Sequence, residues 1–205
     1  MKLLITGFDP FGGEKLNPAW EAVSRLPDTI RGAELLKLQV PTSFSRAPRA
    51  AEEALKRLHP DAVICVGQAG GRDAVTPEAV AVNKINARTP DNDGNQPGER
   101  PIDKEGPEEL LSTLPVEAIR SELEGAGIPA RISRDAGNFV CNALMYSVLR
   151  LTEASGRPLP AGFIHVPFIP EQTAGKKEGT PALPLGELVR ALELTAETVI
   201  KALEK

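Results

Sequence analysis

The chain has 205 residues, 41% hydrophobic and 25% charged, an ordinary globular composition that excludes a disordered, collagen-like or coiled-coil chain. Its length suits one large domain, residues 1–205, better than two. Lysine and arginine total 24 against 28 aspartate and glutamate, a net charge of −4 with the signs interspersed, so a nucleic-acid partner is not expected.

Lys2 to Thr6 reads as the first strand, bounded by Gly7. Its apolar part, Leu3 to Ile5, is too short for a signal-peptide core, and no run approaches the roughly 20 residues of a membrane span. The expectation is a cytoplasmic protein with no membrane partner. Pro18 to Leu26 follows as a helix capped by Asn17, then a strand over Glu34 to Val40 and a helix over Ala47 to Leu58. Asp61 to Val66 is a continuous apolar run suited to a strand buried on both faces.

Ala79 to Ile85 and Ala130 to Ser133 are further strand candidates, with a helix over Val116 to Glu124 between them. A helix over Asn138 to Leu151, a strand over Gly162 to Val166 and a long helix over Leu185 to Leu203 complete the chain. Strands alternating with helices imply an α/β fold whose mainly parallel sheet is covered on both faces. Residues 86–107 and 167–184 are rich in loop-forming residues and break the alternation. Loops of that length inside a compact domain serve as lids, binding loops or oligomer contacts.

The loop Thr6 to Gly13 follows the first strand and Gly67 to Arg72 follows the third, so both fall at the carboxyl edge where open α/β sheets bind ligands. Neither matches a GxGxxG or GxxxxGK[ST] phosphate loop. The glycines are as consistent with tight turns as with a phosphate cradle.

Cys141 stands where a glycine turn enters a predicted helix, and the unpaired N–H groups and positive dipole end there favour a thiolate. It reads either as a nucleophile with a lowered pKa or as a small buried hydrophobe, and the residues alone leave both open. Cys65, among Val63, Ile64 and Val66, reads as an inert core thiol. His165 ends a strand at the same edge and is the natural base for Cys141, whereas His59, in the turn before Pro60, reads as a surface residue. A third group should orient the imidazole. Among many carboxylates Glu78 stands out because it opens an apolar strand, although a solvated Glu at a strand end is the plainer reading. With two cysteines, two histidines and no CxxC or HxxxH spacing, no metal site is expected.

Several separated motifs then carry a resemblance over nearly the full length: TGFDPFGGEKLNPAWEAV, VGQAGGR, VAVNKINAR, PDNDGNQP, AGNFVCN and GFIHVPFIPEQ. The chain resembles the pyrrolidone-carboxylate peptidases, cysteine peptidases also called type I pyroglutamyl peptidases. The resemblance implies a single-domain, three-layer α/β/α open sandwich with a mainly parallel, mixed sheet, no metal or organic cofactor, and a cytosolic homotetramer. It implies removal of an N-terminal pyroglutamyl residue from peptide substrates by a triad of Cys141 as nucleophile, His165 as base then acid, and Glu78 as orienter.

The lactam has no free α-amine, so its pocket should be apolar with a few hydrogen bonds. Phe8, Phe11, Phe139 and Val140 are the apolar candidates, Gln68 the lactam contact and Arg88 a partner for the oxyanion alongside the Cys141 N–H. Core packing remains an equal reading for Phe8 and Phe11, and an ion pair for Arg88.

The sequence departs from the family pattern at Pro77 and Thr89, where aliphatic residues are usual, and at Ala79, where arginine is common. Pro77 is expected to shift the start of the Glu78 strand, and Thr89 to loosen the pocket wall, leaving an active enzyme of weaker turnover. A phosphorylase-like enzyme using the glycine loops and an inactive pyroglutamyl-binding protein are the alternative readings.

Overall fold

The computed structural model describes residues 1–154, 156 and 159–205. Strands β1 (Lys2–Phe8), β2 (Thr29–Ile30), β3 (Ala33–Val40), β4 (Ala62–Gln68), β5 (Thr76–Glu78) and β8 (Ala161–Val166) form one sheet in the order β2-β3-β1-β4-β8-β5. Pairings among β3, β1, β4 and β8 are parallel, while β2 and β5 lie antiparallel at the two edges. Strands β6 (Val80–Val82) and β7 (Glu109–Leu111) make a separate antiparallel ribbon.

Successive strand side chains point to opposite faces, and this period sorts the core into two layers. Leu3, Ile5, Ala62, Ile64, Val66, Ile164 and Val166 pack under α1 (Pro18–Ser24), α3 (Val116–Gly125) and α5 (Leu185–Leu203). Leu4, Phe8, Val63, Cys65, Ala161 and Phe163 pack under α2 (Arg46–Leu58) and α4 (Val140–Ala154). The result is the expected α/β/α sandwich. Among the described residues no helix is long and apolar enough to cross a membrane.

Two strand expectations change. The run from Ala79 is not one strand: β5 ends at Glu78, and the chain swings away so that Val80 to Val82 pairs with β7 instead. Residues 130–133 touch β5 only through isolated bridges, Val75 to Ala130 and Glu78 to Ser133. Pro77 explains why. Val75 and Ala79 donate to the Pro129 and Ser133 carbonyls, and Arg131 and Ser133 donate to the Val75 and Pro77 carbonyls. Proline cannot supply the N–H of the rung between, and its position on the sheet edge is the one a strand tolerates.

Local chemistry fixes the helix ends. Asn17 caps α1 by accepting the Ala19 N–H at 3.1 Å and donates to the Asp9 carbonyl at 3.0 Å, tying the helix to the β1 loop. Gly7 lets them approach closely, since a Cβ there would lie 2.9 Å from Trp20 backbone atoms. His59 closes α2 in the left-handed conformation, φ 49°, and is exposed, as its sequence setting indicated.

Candidate active site

The alternation that places Cys65 under α4 also places Gly67 and His165 on that face, because Gly67 and His165 are register partners across β4 and β8. Cys141 is the second residue of α4. Its sulfur lies against Gly67, where a Cβ would come within 2.9 Å of Sγ and 2.7 Å of the Phe163 ring. A glycine at this point of the strand makes room for the Cys141 sulfur. The first ladder bond of α4 runs from the Ala143 N–H to the Phe139 carbonyl at 3.1 Å, so the Val140, Cys141 and Asn142 N–H groups precede the ladder.

Asn142, fully buried, holds this helix end in place. Its side chain accepts the Val82 N–H at 3.0 Å and donates to the Val82 and Lys84 carbonyls at 2.8 and 3.0 Å, completing the edge of β6 as a strand residue would. Neither Asn142 nor this role was legible beforehand. Its contacts lie 58 and 60 residues away in sequence.

His165 is 4% exposed and its Nδ1 lies 2.7 Å from Oε1 of Glu78, which is itself 0% exposed. Glu78 is therefore a buried partner of the imidazole, and the reading as a solvated strand end is corrected: the edge strand β5 turns its carboxylate inward against β8. Burial acts to raise the Glu78 carboxyl, but the bond to His165 and its charge, with Ser133 and Arg72, outweigh it and hold the pKa below the ordinary value. The Ser133 hydroxyl itself bonds the Asp135 carbonyl at 3.3 Å, and among the described residues Oε2 has no hydrogen-bond partner. An ionised Glu78 fixes the proton on Nδ1 and leaves Nε2 as the basic nitrogen.

Burial lowers the His165 pKa, more than Glu78 raises it, so the imidazole rests neutral at pH 7. The Cys141 thiol is pushed up to about 12 from 9.0, first by burial and then by the Glu78 carboxylate, with Arg72 acting in the opposite direction. The residue retains some exposure, yet its sulfur lies against the buried Gly67. This corrects the expectation of a lowered thiol: a helix N-terminus offers partial charge, while the interior removes hydration from the whole thiolate. The resting pair is a neutral thiol beside a neutral imidazole, with no hydrogen bond between them, a looseness common before substrate tightens a site. Cys65, 0% exposed and likewise pushed up to about 12 by burial, is the inert core thiol expected.

A cysteine at a helix start, a histidine at a strand end and a buried glutamate behind it is the constellation of a cysteine hydrolase. The family model of pyroglutamyl peptidase matches residues 1–202. The chain belongs to the pyroglutamyl peptidase family. It is 47% identical over 200 residues to the pyrrolidone-carboxylate peptidase of Clostridium perfringens, covering 98% of this chain and 93% of that one. The crystal structure of pyroglutamyl peptidase I from Bacillus amyloliquefaciens superposes with a TM-score of 0.93 at 47% identity, covering 97% and 94% of the two chains. The pyrrolidone carboxyl peptidase of Thermococcus litoralis gives 0.96 at 39% identity, covering 99% and 94%.

In this pyroglutamyl peptidase family member the remaining expected site residues fall in different settings. Phe8 is 2% exposed and packs on Phe163 at 6.3 Å between ring centroids, and Val140 is fully buried, so both belong to the core layer under α2 and α4. Phe11 and Phe139 are half-buried and face each other at 6.1 Å, with Phe44 edge-on to Phe139 at 5.2 Å. Gln68, ending β4, accepts from Gln172 at 2.8 Å. Arg88 is exposed and makes no ion pair among the described residues; its segment is tied to the loop before Cys141 by the Asn86 N–H on the Asn138 carbonyl at 3.0 Å.

Loop 86–107 is clasped to the same edge. Asp91, 5% exposed, accepts the backbone N–H groups of Phe44, Asp93 and Asn95, while Asn92 reaches the Asp9 carboxylate at 3.1 Å and the Pro10 carbonyl at 2.8 Å. Arg72 is the charged residue that the sequence reading did not assign. It donates to Glu78 Oε1 at 2.6 Å, to the Thr76 hydroxyl at 2.5 Å and to the Asp135 carbonyl at 2.7 Å. The available signal was its place at the end of a glycine loop, which a solvated arginine shares. Among the described residues no group of three or more acidic, His or Cys side chains could hold a metal.

Proposed function

We propose that this protein removes N-terminal pyroglutamyl residues from peptides by a Cys141–His165–Glu78 mechanism through a thioester. The observation that supports it best is the 2.7 Å bond between the buried Glu78 and His165 on the strand beside the Cys141 sulfur, in a chain of the pyroglutamyl peptidase family. Because the thiol rests neutral, His165 Nε2 takes its proton as Sγ attacks the pyroglutamyl carbonyl carbon. Negative charge collects on the carbonyl oxygen, for which the Cys141 N–H at the head of α4 is the donor, with Arg88 as the cationic candidate. The carbon–nitrogen bond then breaks and the His165 proton passes to the departing amine. A water, deprotonated by the same imidazole, cleaves the thioester and restores the thiol.

The pocket chemistry suits a neutral lactam. Phe11 and Phe139 supply ring surface and the Gln68 amide a polar contact, while Glu14, the carboxylate in the Gln68–Gln172 network, is already paired with Lys176 at 2.6 Å. That pairing leaves the Glu14 carboxylate less able to reward an ordinary amino terminus. A lactam held between the rings needs roughly 7 Å, two contacts of about 3.5 Å, so Phe11 opens from its present 6.1 Å when substrate enters. Pro77 leaves Glu78 in place, which favours an active enzyme over an inactive binder. The composition supports a cytoplasmic protein, and the family resemblance a homotetramer that sedimentation would read.

Release of a fluorescent amine from a pyroglutamyl amide tests the reading. Wild type should cleave it and folded Cys141→Ala should not; no cleavage by folded, reduced wild type would sink the proposal.

A further inference from the structure

Arg72 does more than neutralise a buried carboxylate. Its Nη1 reaches Glu78 Oε1 at 2.6 Å and the Thr76 hydroxyl at 2.5 Å. The Thr76 hydroxyl in turn lies 3.5 Å from the His165 carbonyl, and His165 Nδ1 returns to the same Oε1 at 2.7 Å. Arg72, Glu78, His165 and Thr76 therefore close a ring that holds the imidazole by its side chain and by its backbone.

The other nitrogen, Nη2, leaves the ring and donates to the Asp135 carbonyl at 2.7 Å. Asp135 begins the turn into α4: its carboxylate accepts the Gly137 N–H at 2.9 Å, and Gly137 has φ 78°, a conformation that favours glycine. One planar guanidinium thus spans the strand carrying the acid and the loop that delivers the nucleophile. A lysine, with a single ammonium, could not reach both in fixed geometry. The arginine is itself anchored by its backbone N–H on the Ala69 carbonyl at 3.2 Å.

We infer that Arg72 is a positioning residue of this site, locking Glu78, His165 and the segment ahead of Cys141 into one frame so that imidazole and thiol meet in register. The inference rests on the peptidase reading above. Its electrostatics agree: Arg72 lowers the Glu78 carboxyl, the His165 imidazole and the Cys141 thiol alike. The charged and titratable groups acting on the imidazole are Glu78, Arg72 and Asp135, and those acting on the thiol are Glu78, Arg72 and Cys65. Removing the cation makes the imidazole more basic and the thiol harder to ionise.

Arg72→Met and Arg72→Lys are compared with wild type, each checked for folding by circular dichroism and thermal melting. Arg72→Met should lose about 10²-fold in kcat with KM changed less than about threefold, and Arg72→Lys should recover part of that loss. The acid limb of kcat/KM should move to higher pH in Arg72→Met, because His165 then sheds its proton later. Alkylation of Cys141 by iodoacetamide, located by mass spectrometry, should be slower at a given pH. A folded Arg72→Met with unchanged acid limb and unchanged alkylation profile would overturn the inference, whatever its kcat, and leave Arg72 a structural ion pair. If Arg72→Met does not fold, the same two readouts on Arg72→Lys decide. Should wild type fail to cleave pyroglutamyl amides, the peptidase reading falls by itself, while the alkylation comparison still tests the role of Arg72.

Discussion

Gly67→Ala isolates the contact on which the Cys141 sulfur rests. The added methyl would stand 2.9 Å from Cys141 Sγ and 2.7 Å from the Phe163 ring. Restoring ordinary contacts of about 3.5 Å requires the sulfur to retreat by about 0.6 Å and the ring by about 0.8 Å. The ring has no free space: Phe163 is 0% exposed and lies 4.7 Å from the His165 ring, so the push reaches His165 as well as Cys141. Overpacking of this kind costs about 1–3 kcal/mol and should lower Tm by roughly 2–12 °C. Displacements approaching 1 Å at reacting groups cost on the order of 10²-fold, so kcat should fall by about that factor while the aromatic pocket, and with it KM, changes little. Stopped-flow or continuous release of a fluorescent amine from a pyroglutamyl amide, with melting followed in parallel, reads both quantities. A folded Gly67→Ala enzyme with wild-type kcat would refute the placement of the sulfur over Gly67.

Glu78, His165 and Asp91 each give a further outcome. Glu78→Gln should keep the fold and lose roughly 10²-fold or more in kcat, since a neutral amide no longer fixes the proton on Nδ1 or answers the Arg72 charge; activity near wild type would remove Glu78 from the mechanism. The acid limb of kcat/KM should lie below the ordinary histidine value of 6.5, because burial favours the neutral base. Stability moves in the same sense: the unfolded chain takes up a proton that folded His165 refuses, so unfolding free energy falls as pH drops below 6.5 toward the lowered folded value. A limb above 6.5 would contradict this. Asp91→Ala leaves the N–H groups of Phe44, Asp93 and Asn95 without their acceptor and should cost about 2–4 kcal/mol in denaturant unfolding. It should raise KM more than it lowers kcat, because Phe44 braces the Phe139 ring; an unchanged KM would detach the loop from the pocket.

What could be read from residues in order was whatever depends on neighbours in the chain. The helix over Leu185–Leu203 was legible to the residue because an amphipathic period repeats within the segment itself. The runs that became β1, β4 and β8 were legible because strands buried on both faces are largely apolar, while β3, a mixed and half-exposed run, was marked by its end at Pro41. Cys141 and His165 could be named because a helix start and a strand end are local features, and the family motifs added Glu78.

The tertiary fold decided the rest, because burial and charge are set by groups distant in sequence. Glu78 became a buried partner only when β5 paired with β8, 87 residues further on. Arg72 acquired its meaning when Asp135, 63 residues away, came within reach of its second nitrogen. The Cys141 thiol kept the helix N-terminus that the sequence promised, yet was pushed up to about 12 because packing against Gly67 and facing Glu78 outweigh that partial charge. Residue types supplied the chemistry available, and desolvation by the assembled sheet and helices set which protonation states that chemistry starts from.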